Sequence, residues 1–345
     1  MLADDLDVVI GVDTHKHTHT AAAVSATGSV LEQLTVAANP RGYRQLIVFG
    51  QRHEAQVWAI EGTGSFGAGL TAALLAQGVR VVEVDRPQRP ARRAGAKSDE
   101  IDAVRAARQA LAGVGVSEPR GRGEREAIRV LLATRAQAVE FRTRAISALH
   151  ALVTSAPDSL RERLRSLTLG ELLHACAALR GSSRQSAEEF ATVMALRSTA
   201  RRALACAREA MDLETQIDML VRRIAPDLLD QVGIGPVVAA QVIASWSHRG
   251  RVHSEAAFAK LGGVAPIEAS SGMVIRHRLN RSGDRQLNRA LHTIVLVRMR
   301  QDENTKTYVK RRLAEGKSLR EIRRCLKRYV ARQLFRQLEA MPSMP

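Results

Sequence analysis

The sequence predicts an α/β domain at the N-terminus, followed by a longer and mainly helical region. Short apolar runs alternate with helix-like segments over the first part of the chain. Further on, apolar residues recur at helical spacing, and a stretch rich in Gly, Pro and Arg separates the two parts. We therefore expect four segments: an α/β domain over 1–111, a linker over 112–126, a helical region with a coiled coil over 127–227, and a second helical domain over 228–345.

The predicted elements of the N-terminal domain come in the order three strands, helix, strand, helix, strand, helix. The expected strands cover 8–13, 20–24, 30–37, 56–60 and 79–84, and the expected helices cover 43–49, 67–76 and a segment that begins after Ser98. The strands are short apolar runs bounded by turn residues, and Ser98 can cap the last helix through its hydroxyl. An early meander of strands followed by βα units on one sheet is the ribonuclease-H-like arrangement.

Four acidic residues fall where this arrangement gathers ligands. Asp13 and Glu61 each end an apolar strand, and ligands bind at the carboxyl ends of neighbouring central strands. Asp99 and Asp102 stand three residues apart on the first turn of the last helix, so they share a face. Each acid alone has an ordinary explanation, such as complementing a helix dipole. Together they predict a site for Mg²⁺, whose paired ions bind carboxylates and clamp the reacting oxygens of a phosphodiester.

Three histidines follow the first of these acids: His15, His17 and His19. Because they alternate, an extended segment would place all three on one face of a strand. Histidines at this spacing could bind a transition metal. No second ligand cluster accompanies them, however, so we interpret them as polar residues of a strand near the acidic site.

The overall charge indicates a polyanionic partner. The chain carries 52 Lys and Arg against 35 Asp and Glu, a formal net charge of +17, and binding such a chain to phosphates releases counterions. No apolar run is long enough to span a membrane, and the N-terminus lacks the pattern of a signal peptide, so we expect no membrane partner. Cys176, Cys206 and Cys325 are far apart, which favours reduced thiols and a cytoplasmic location.

Heptad spacing marks the helical region. Apolar residues recur every seven positions at Leu132, Val139, Ile146 and Val153, and a four–three–four spacing returns at Leu213, Ile217, Leu220 and Ile224. We expect two long amphipathic helices with shorter helices between them. They form either an antiparallel coiled-coil arm that supports dimerisation or the plain core of a helical subdomain.

The last segment combines a glycine-containing turn with a basic tract. Residues 229–245 have the form of a helix–hairpin–helix, in which Gly233 and Gly235 allow a tight hairpin whose N–H groups can hold a phosphate; a simple αα-turn is the alternative. The basic tract downstream, which we also assign to nucleic-acid binding, contains Arg276, Arg278, Arg281 and Arg285. Just before it lie Ser270 and Ser271, either of which could serve as a nucleophile or form an ordinary turn with Gly272.

In this order, the motifs resemble those of the DEDD transposases, insertion-sequence recombinases that are related to the Piv DNA invertases and include members guided by a bridge RNA. The matching segments are Gly11-Val-Asp-Thr-His-Lys, Ile60-Glu-Gly-Thr-Gly, Lys97-Ser-Asp-Glu-Ile-Asp-Ala, Val232-Gly-Ile-Gly-Pro, Leu261-Gly-Gly-Val-Ala-Pro, Ser271-Gly272 and Asn280-Arg-Ser-Gly-Asp-Arg-Gln-Leu. The resemblance implies a RuvC-like domain, a coiled coil and a C-terminal transposase domain. It also implies that Asp13, Glu61, Asp99 and Asp102 bind metal and that Ser271 joins covalently to DNA.

The sequence therefore predicts a transposase or recombinase that cleaves and rejoins DNA with Mg²⁺ through a serine–DNA intermediate, guided by a bridge RNA. The expected partners are donor and target duplex DNA, the guide RNA, and further copies of the chain in a homodimer or tetramer. Three alternatives remain open: an invertase-type recombinase that works without RNA, a RuvC-like junction nuclease that has no need of Ser271, and a non-catalytic nucleic-acid-binding protein.

Overall fold

The computed structural model describes residues 7–84, 98–268, 277–278, 280 and 282–341. The chain divides into two units, Met1–Gly121 and Arg122–Pro345. The first unit contains a mixed α/β sheet, and the second is mainly helical, as the sequence analysis predicted. The division into four segments is finer than this and stays a prediction.

A six-stranded sheet with helices on both faces makes up the first unit. Its elements are β1 (Val8–Thr14), β2 (Thr18–Ser25), β3 (Val30–Ala37), α1 (Pro40–Arg52), β4 (Val57–Glu61), α2 (Ala68–Leu75), β5 (Val81–Val84), α3 (Asp99–Ala112) and β6 (Val116–Ser117). The strand order is β3-β2-β1-β4-β5-β6. The β1–β4 and β4–β5 pairs are parallel, and the other pairs are antiparallel. This confirms the predicted element order, to which the structure adds β6, a strand of two residues that is too short for a periodicity to reveal.

The two faces of the sheet are covered by different helices. On one face, Ile10 and Val12 of β1 pack in a core with Leu46 of α1 and Leu70 of α2. On the other face, Val9 packs with the small residues of α3, among them Ala103, Ala106, Ala107 and Ala110. The sheet is therefore buried on both sides, which explains why its central strands are almost entirely apolar.

The prediction that the three histidines share one strand was wrong. β1 ends at Thr14 and β2 begins at Thr18, so the chain reverses within the segment that was expected to be extended. His15 and His17 lie in this turn, and only His19 lies on a strand. His19 is fully buried and stacks on Tyr43 with ring centroids 5.7 Å apart, and burial lowers its pKa. The neutral His19 ring belongs to the core of the unit.

Two long helices dominate the second unit, α4 (Glu124–Thr154) and α7 (Ala187–Ile224). They are antiparallel neighbours: Arg135 of α4 pairs with Glu214 of α7 at 2.7 Å, and Glu124 at the start of α4 pairs with Arg223 near the end of α7. The short helices α5 (Asp158–Leu164) and α6 (Leu169–Ala178) connect them. The two predicted long helices and the short helices between them are confirmed, whereas coiled-coil packing and dimerisation stay predictions.

The remaining elements surround a large apolar core. They are α8 (Pro226–Leu229), α9 (Pro236–Trp246), α10 (Glu255–Leu261), β7 (Ile267–Glu268), β8 (His277–Arg278), α11 (Arg285–Gln301), α12 (Glu303–Ala314) and α13 (Leu319–Ala340). Trp246, Phe258, Leu291 and Leu334 are buried together at the centre. In the described part of the chain, no helix is both long enough and apolar enough to cross a membrane.

Candidate functional site

Two of the predicted acids lie side by side at one edge of the sheet. In the parallel pair β1–β4, Val12 is paired with Ile60. Asp13 and Glu61 are the next residues on these strands, so both stand at the same end of adjacent strands. The Thr14 hydroxyl donates a hydrogen bond of 2.8 Å to the Glu61 backbone carbonyl. This bond ties together the two strand ends that carry the acids.

A close contact between β1 and α3 positions the other two acids. Gly11 lies on the same face of β1 as Asp13, since side chains two residues apart share a face. A Cβ atom at Gly11 would lie 2.0 Å from the Ala103 carbonyl oxygen and 2.4 Å from the Ala107 nitrogen. The helix backbone therefore rests directly on the strand, which only glycine permits. The Ser98 side chain caps the helix as predicted, accepting a 3.3 Å hydrogen bond from the Ile101 N–H.

Three other acids lie close enough to Asp13 to affect the pKa of its carboxyl. Asp13 is 8% exposed, and burial raises the pKa of its carboxyl above the ordinary value. The charged groups that also act on the pKa of Asp13 are His15, which lowers it, and three carboxylates, which raise it: Asp99, Asp102 and Glu61. Negative charge is thus concentrated at this edge of the sheet, and a cation bound there would relieve the repulsion.

His15 lies between two of the acids. Its Nε2 atom is 3.2 Å from Asp13 Oδ2 and 3.2 Å from Asp99 Oδ1, and one ligand atom from each of the three residues falls within 4.8 Å of the others. Asp102 is oriented differently, with Oδ1 paired to Arg105 at 2.9 Å. A position of His15 near the acidic site agrees with the prediction, but its place in a turn between two acids was not predicted. The signal for it is the Asp-Thr-His order at a strand end, where a tight turn brings the third residue back over the first.

The donor set of this edge fits a divalent metal ion. Carboxylate oxygens suit hard cations such as Mg²⁺, and imidazole nitrogen suits transition metals. The individual metal-binding roles of Asp13, Glu61, Asp99 and Asp102 remain predictions.

The glycine-containing turn of the second unit packs against α11. Gly233 has a φ of +87°, and a Cβ atom there would lie 3.0 Å from the Ile294 carbonyl oxygen. Arg298 of α11 donates a 2.9 Å hydrogen bond to the Val232 carbonyl. Gly235 is the N-cap of α9. A packing role accounts for Gly233, and phosphate binding by this turn stays a prediction.

The predicted nucleophile and part of the basic tract fall outside the described residues: Ser270, Ser271, Arg276 and Arg281. Of the other basic residues in the tract, Arg285 is exposed at the start of α11, directly after the N-cap Asp284. Arg278 lies on β8 and lines a cavity of about 710 Å³ between α12, α13 and the loop after α10.

This cavity, which we call the basic cavity, carries many cations. Those that line it are Arg278, Arg312, Lys317, Arg324, Lys327, Arg328 and Arg332, and Glu321 is the one acid among the described residues of its lining. Arg312 pairs with Glu315, and Arg328 and Arg332 pair with Glu255. Among the residues that the structure describes, Arg278, Lys317 and Arg324 form no ion pair, although Lys317 and Arg324 both help to lower the pKa of Glu321. This cavity was not predicted from the sequence, although Arg324, Arg328 and Arg332 recur at four-residue spacing and so share a face of α13.

Comparison with known proteins identifies the chain. Residues 10–156 match the family model of the IS110 DEDD transposases, which carries the description Transposase. Residues 227–310 match a model described as Transposase IS116/IS110/IS902 family. The two matches together cover about two thirds of the chain. No curated protein matches it.

The protein is therefore a DNA transposase, an enzyme of DNA recombination. It belongs to the IS110 family of DEDD transposases, and the matched domains indicate a DNA substrate and the use of a divalent metal.

Proposed function

We propose that the protein is an insertion-sequence transposase that cleaves and rejoins DNA with Mg²⁺ through a covalent serine–DNA intermediate, guided by a bridge RNA. The observation that carries the proposal is the convergence of acids from β1, β4 and α3 on one edge of the sheet. In this proposal Asp13, Glu61, Asp99 and Asp102 hold the metal. When bound, Mg²⁺ supplies a Lewis acid that stabilises charge on the reacting phosphate.

The protein's own groups carry out the remaining chemistry in this proposal. The Ser271 hydroxyl loses its proton, and its oxygen forms a bond to phosphorus while the bond from phosphorus to one deoxyribose oxygen breaks. The leaving oxygen takes up a proton. Attack by the hydroxyl of another strand end then restores a phosphodiester and releases the serine. Storing the phosphate as a serine ester conserves the bond for rejoining.

The second unit contributes nucleic-acid binding and assembly in this proposal. The turn with Gly233 and Gly235 acts as a helix–hairpin–helix that holds a phosphate, and the basic tract with Arg276, Arg278, Arg281 and Arg285 neutralises the nucleic-acid backbone. Recombining two duplexes needs more than one active site, so the protein acts as a homodimer or tetramer. The antiparallel pair of α4 and α7 forms the coiled coil that joins its copies. The length of these helices, 31 and 38 residues, supports an arm of this kind.

An RNA-dependence assay tests the function. The protein is produced together with its flanking DNA, the copurifying RNA is sequenced, and recombination between two plasmid-borne sites is measured with and without that RNA. We expect recombination only when the RNA is present. Equal recombination after complete RNA removal would indicate an invertase-type enzyme, cleavage without rejoining would indicate a junction nuclease, and an absence of cleavage would indicate a non-catalytic protein.

We also predict that the basic cavity binds the nucleic-acid backbone. Replacing Arg278, Lys317 and Arg324 by Gln is expected to weaken duplex binding and to reduce the slope of log affinity against log salt by about one unit for each phosphate that the protein no longer neutralises. These three cations form no ion pair with an acid of the described residues, so their charges remain available to phosphates. The measurement is fluorescence anisotropy of a labelled duplex over a series of salt concentrations.

The matched control removes the same charge from a different part of the unit. Arg163, Arg202 and Arg208 are exposed residues of α5 and α7, and replacing all three by Gln lowers the net charge equally. If the two triple variants show the same salt slope, overall charge explains binding and the basic cavity has no special role.

A further inference from the structure

We propose that His15 is a metal ligand of the acidic edge, with Nε2 joining carboxylate oxygens of Asp13 and Asp99 in one coordination shell. The proposal extends the function above, and it rests on the metal site proposed there. Its consequence is a mixed nitrogen and oxygen donor set, in which the imidazole contributes more to the binding of Mn²⁺ than to the binding of Mg²⁺. The four acids alone would give an all-oxygen site.

The two separations measured from His15 Nε2 suit neighbouring ligands of one octahedral ion. With metal–ligand bonds of about 2.1 Å, neighbouring ligands of such an ion are about 3.0 Å apart. His15 Nε2 is 3.2 Å from an oxygen of each aspartate. If His15 only formed an ion pair, a charge-assisted N–H to carboxylate hydrogen bond of roughly 2.7–2.9 Å would be expected. Both observed separations are longer than that. A single Nε2 proton could also point at only one of the two oxygens.

The backbone around His15 is held in place before any ion arrives. The His15 N–H donates to the Thr18 carbonyl at 3.0 Å and closes the turn between β1 and β2. Next to it, Thr14 pairs with His19 in the sheet and bonds through its hydroxyl to the end of β4. A ligand on such a fixed turn costs little ordering when it binds. The His15 side chain is 45% exposed, which leaves an entry path for the ion.

The nature of the donor decides which metal benefits. Imidazole binds first-row transition ions well, whereas Mg²⁺ prefers oxygen donors and keeps several waters. Losing the imidazole should therefore weaken Mn²⁺ binding more than Mg²⁺ binding. His17 provides the matched control, because it lies exposed in the same turn and belongs to no group of candidate ligands in the described part of the chain.

The competing explanation makes His15 a counter-ion. A protonated His15 would neutralise Asp13 and Asp99 in the free protein and would have to be displaced by the metal. The two explanations predict opposite signs. If His15 is a ligand, His15→Gln weakens Mn²⁺ binding, and if it is a counter-ion, the same substitution strengthens Mn²⁺ binding.

The test titrates the full-length protein with Mn²⁺ and follows free Mn²⁺ by electron paramagnetic resonance, with Mg²⁺ competition. We expect His15→Gln to raise the Mn²⁺ Kd about tenfold or more, since even residues that only orient metal ligands are worth that much. His17→Gln should bind as the wild type does. Pulsed electron paramagnetic resonance should show ¹⁴N coupling to Mn²⁺ in the wild type and in His17→Gln but none in His15→Gln. Labelling the histidines of the wild type with ¹⁵N should change this coupling without any substitution.

Tighter or unchanged Mn²⁺ binding in His15→Gln, or the absence of nitrogen coupling in the wild type, would overturn the proposal while leaving the acidic metal site intact. Asp13→Ala distinguishes a failure of the proposed metal site from a failure of the proposed role of His15. If the wild type binds Mn²⁺ and Asp13→Ala does not, the metal site stands whatever His15 does. If the wild type binds no Mn²⁺, both the metal site and the role of His15 are wrong.

Discussion

Asp13→Ala is expected to abolish recombination while leaving the affinity for nucleic acid close to that of the wild type. The same outcome is expected for Glu61→Ala, Asp99→Ala and Asp102→Ala. Loss of a metal ligand removes transition-state stabilisation of several kcal/mol, and a loss of about 4 kcal/mol lowers a rate about a thousandfold. Affinity depends instead on the basic residues of a chain with a net charge of +17, and these substitutions leave the basic residues in place. A plasmid recombination assay and duplex-binding measurements on the same preparations check both halves of the prediction.

The structure offers a matched control on the same helical turn. Glu100 lies between Asp99 and Asp102 but is exposed, and it is not among the charged groups that shift the pKa of Asp13. Glu100→Ala removes the same kind of charge from the first turn of α3, and it is expected to keep most of the activity. If a double Asp99→Ala and Asp102→Ala variant were fully active, the two acids would serve only to complement the helix dipole.

The acidic edge of the sheet could be predicted because its signals are local. The apolar runs that become β1 and β4 end at Asp13 and Glu61, and the serine that caps α3 stands immediately before Asp99. Each of these features is encoded within a few neighbouring residues. The order of strands and helices then restricted the topology enough to bring the segments to one edge.

The turn that places His15 between two of the acids could not be predicted in the same way. Its alternation with His17 and His19 indicated a continuous strand, but the chain turns back after Thr14 and separates the three rings. Period-two patterns cannot tell a strand from a tight hairpin that begins within it. Gly11 is a related case, because the need for glycine arises from the backbone of α3, which is more than ninety residues away in sequence.

The basic cavity was missed for a different reason. Its cations come from β8, α12, α13 and the loop between α12 and α13, and in the sequence they are part of a general excess of Lys and Arg towards the C-terminus. A charge run usually marks a solvated face. Only the packing of α12 and α13 against the loop after α10 separates the cations that line a cavity from those that face solvent.

The second prediction concerns the Ser271 nucleophile and is the most discriminating test of the mechanism. A nuclease that activates water leaves no bond between protein and DNA, so it keeps nothing with which to rejoin the strands. A recombinase that forms a serine ester retains the phosphodiester bond energy without ATP. Ser271 was selected over Ser270 by resemblance to the DEDD transposases, since the chemistry of the two hydroxyls is the same. The prediction therefore requires both serines to be substituted separately.

We expect wild-type protein with Mg²⁺ and donor DNA to give an adduct that migrates as protein-bound DNA in denaturing gels and disappears on protease treatment. Ser271→Ala should lose the adduct completely and should also lose strand exchange, whereas Ser270→Ala should retain both. Asp13→Ala provides a second negative control, because it keeps the serine but lacks an acid of the proposed metal site. Protein-free cleavage products that form equally well in Ser271→Ala would contradict the serine mechanism. Water would then be the nucleophile, and the junction-nuclease explanation would account for the acids.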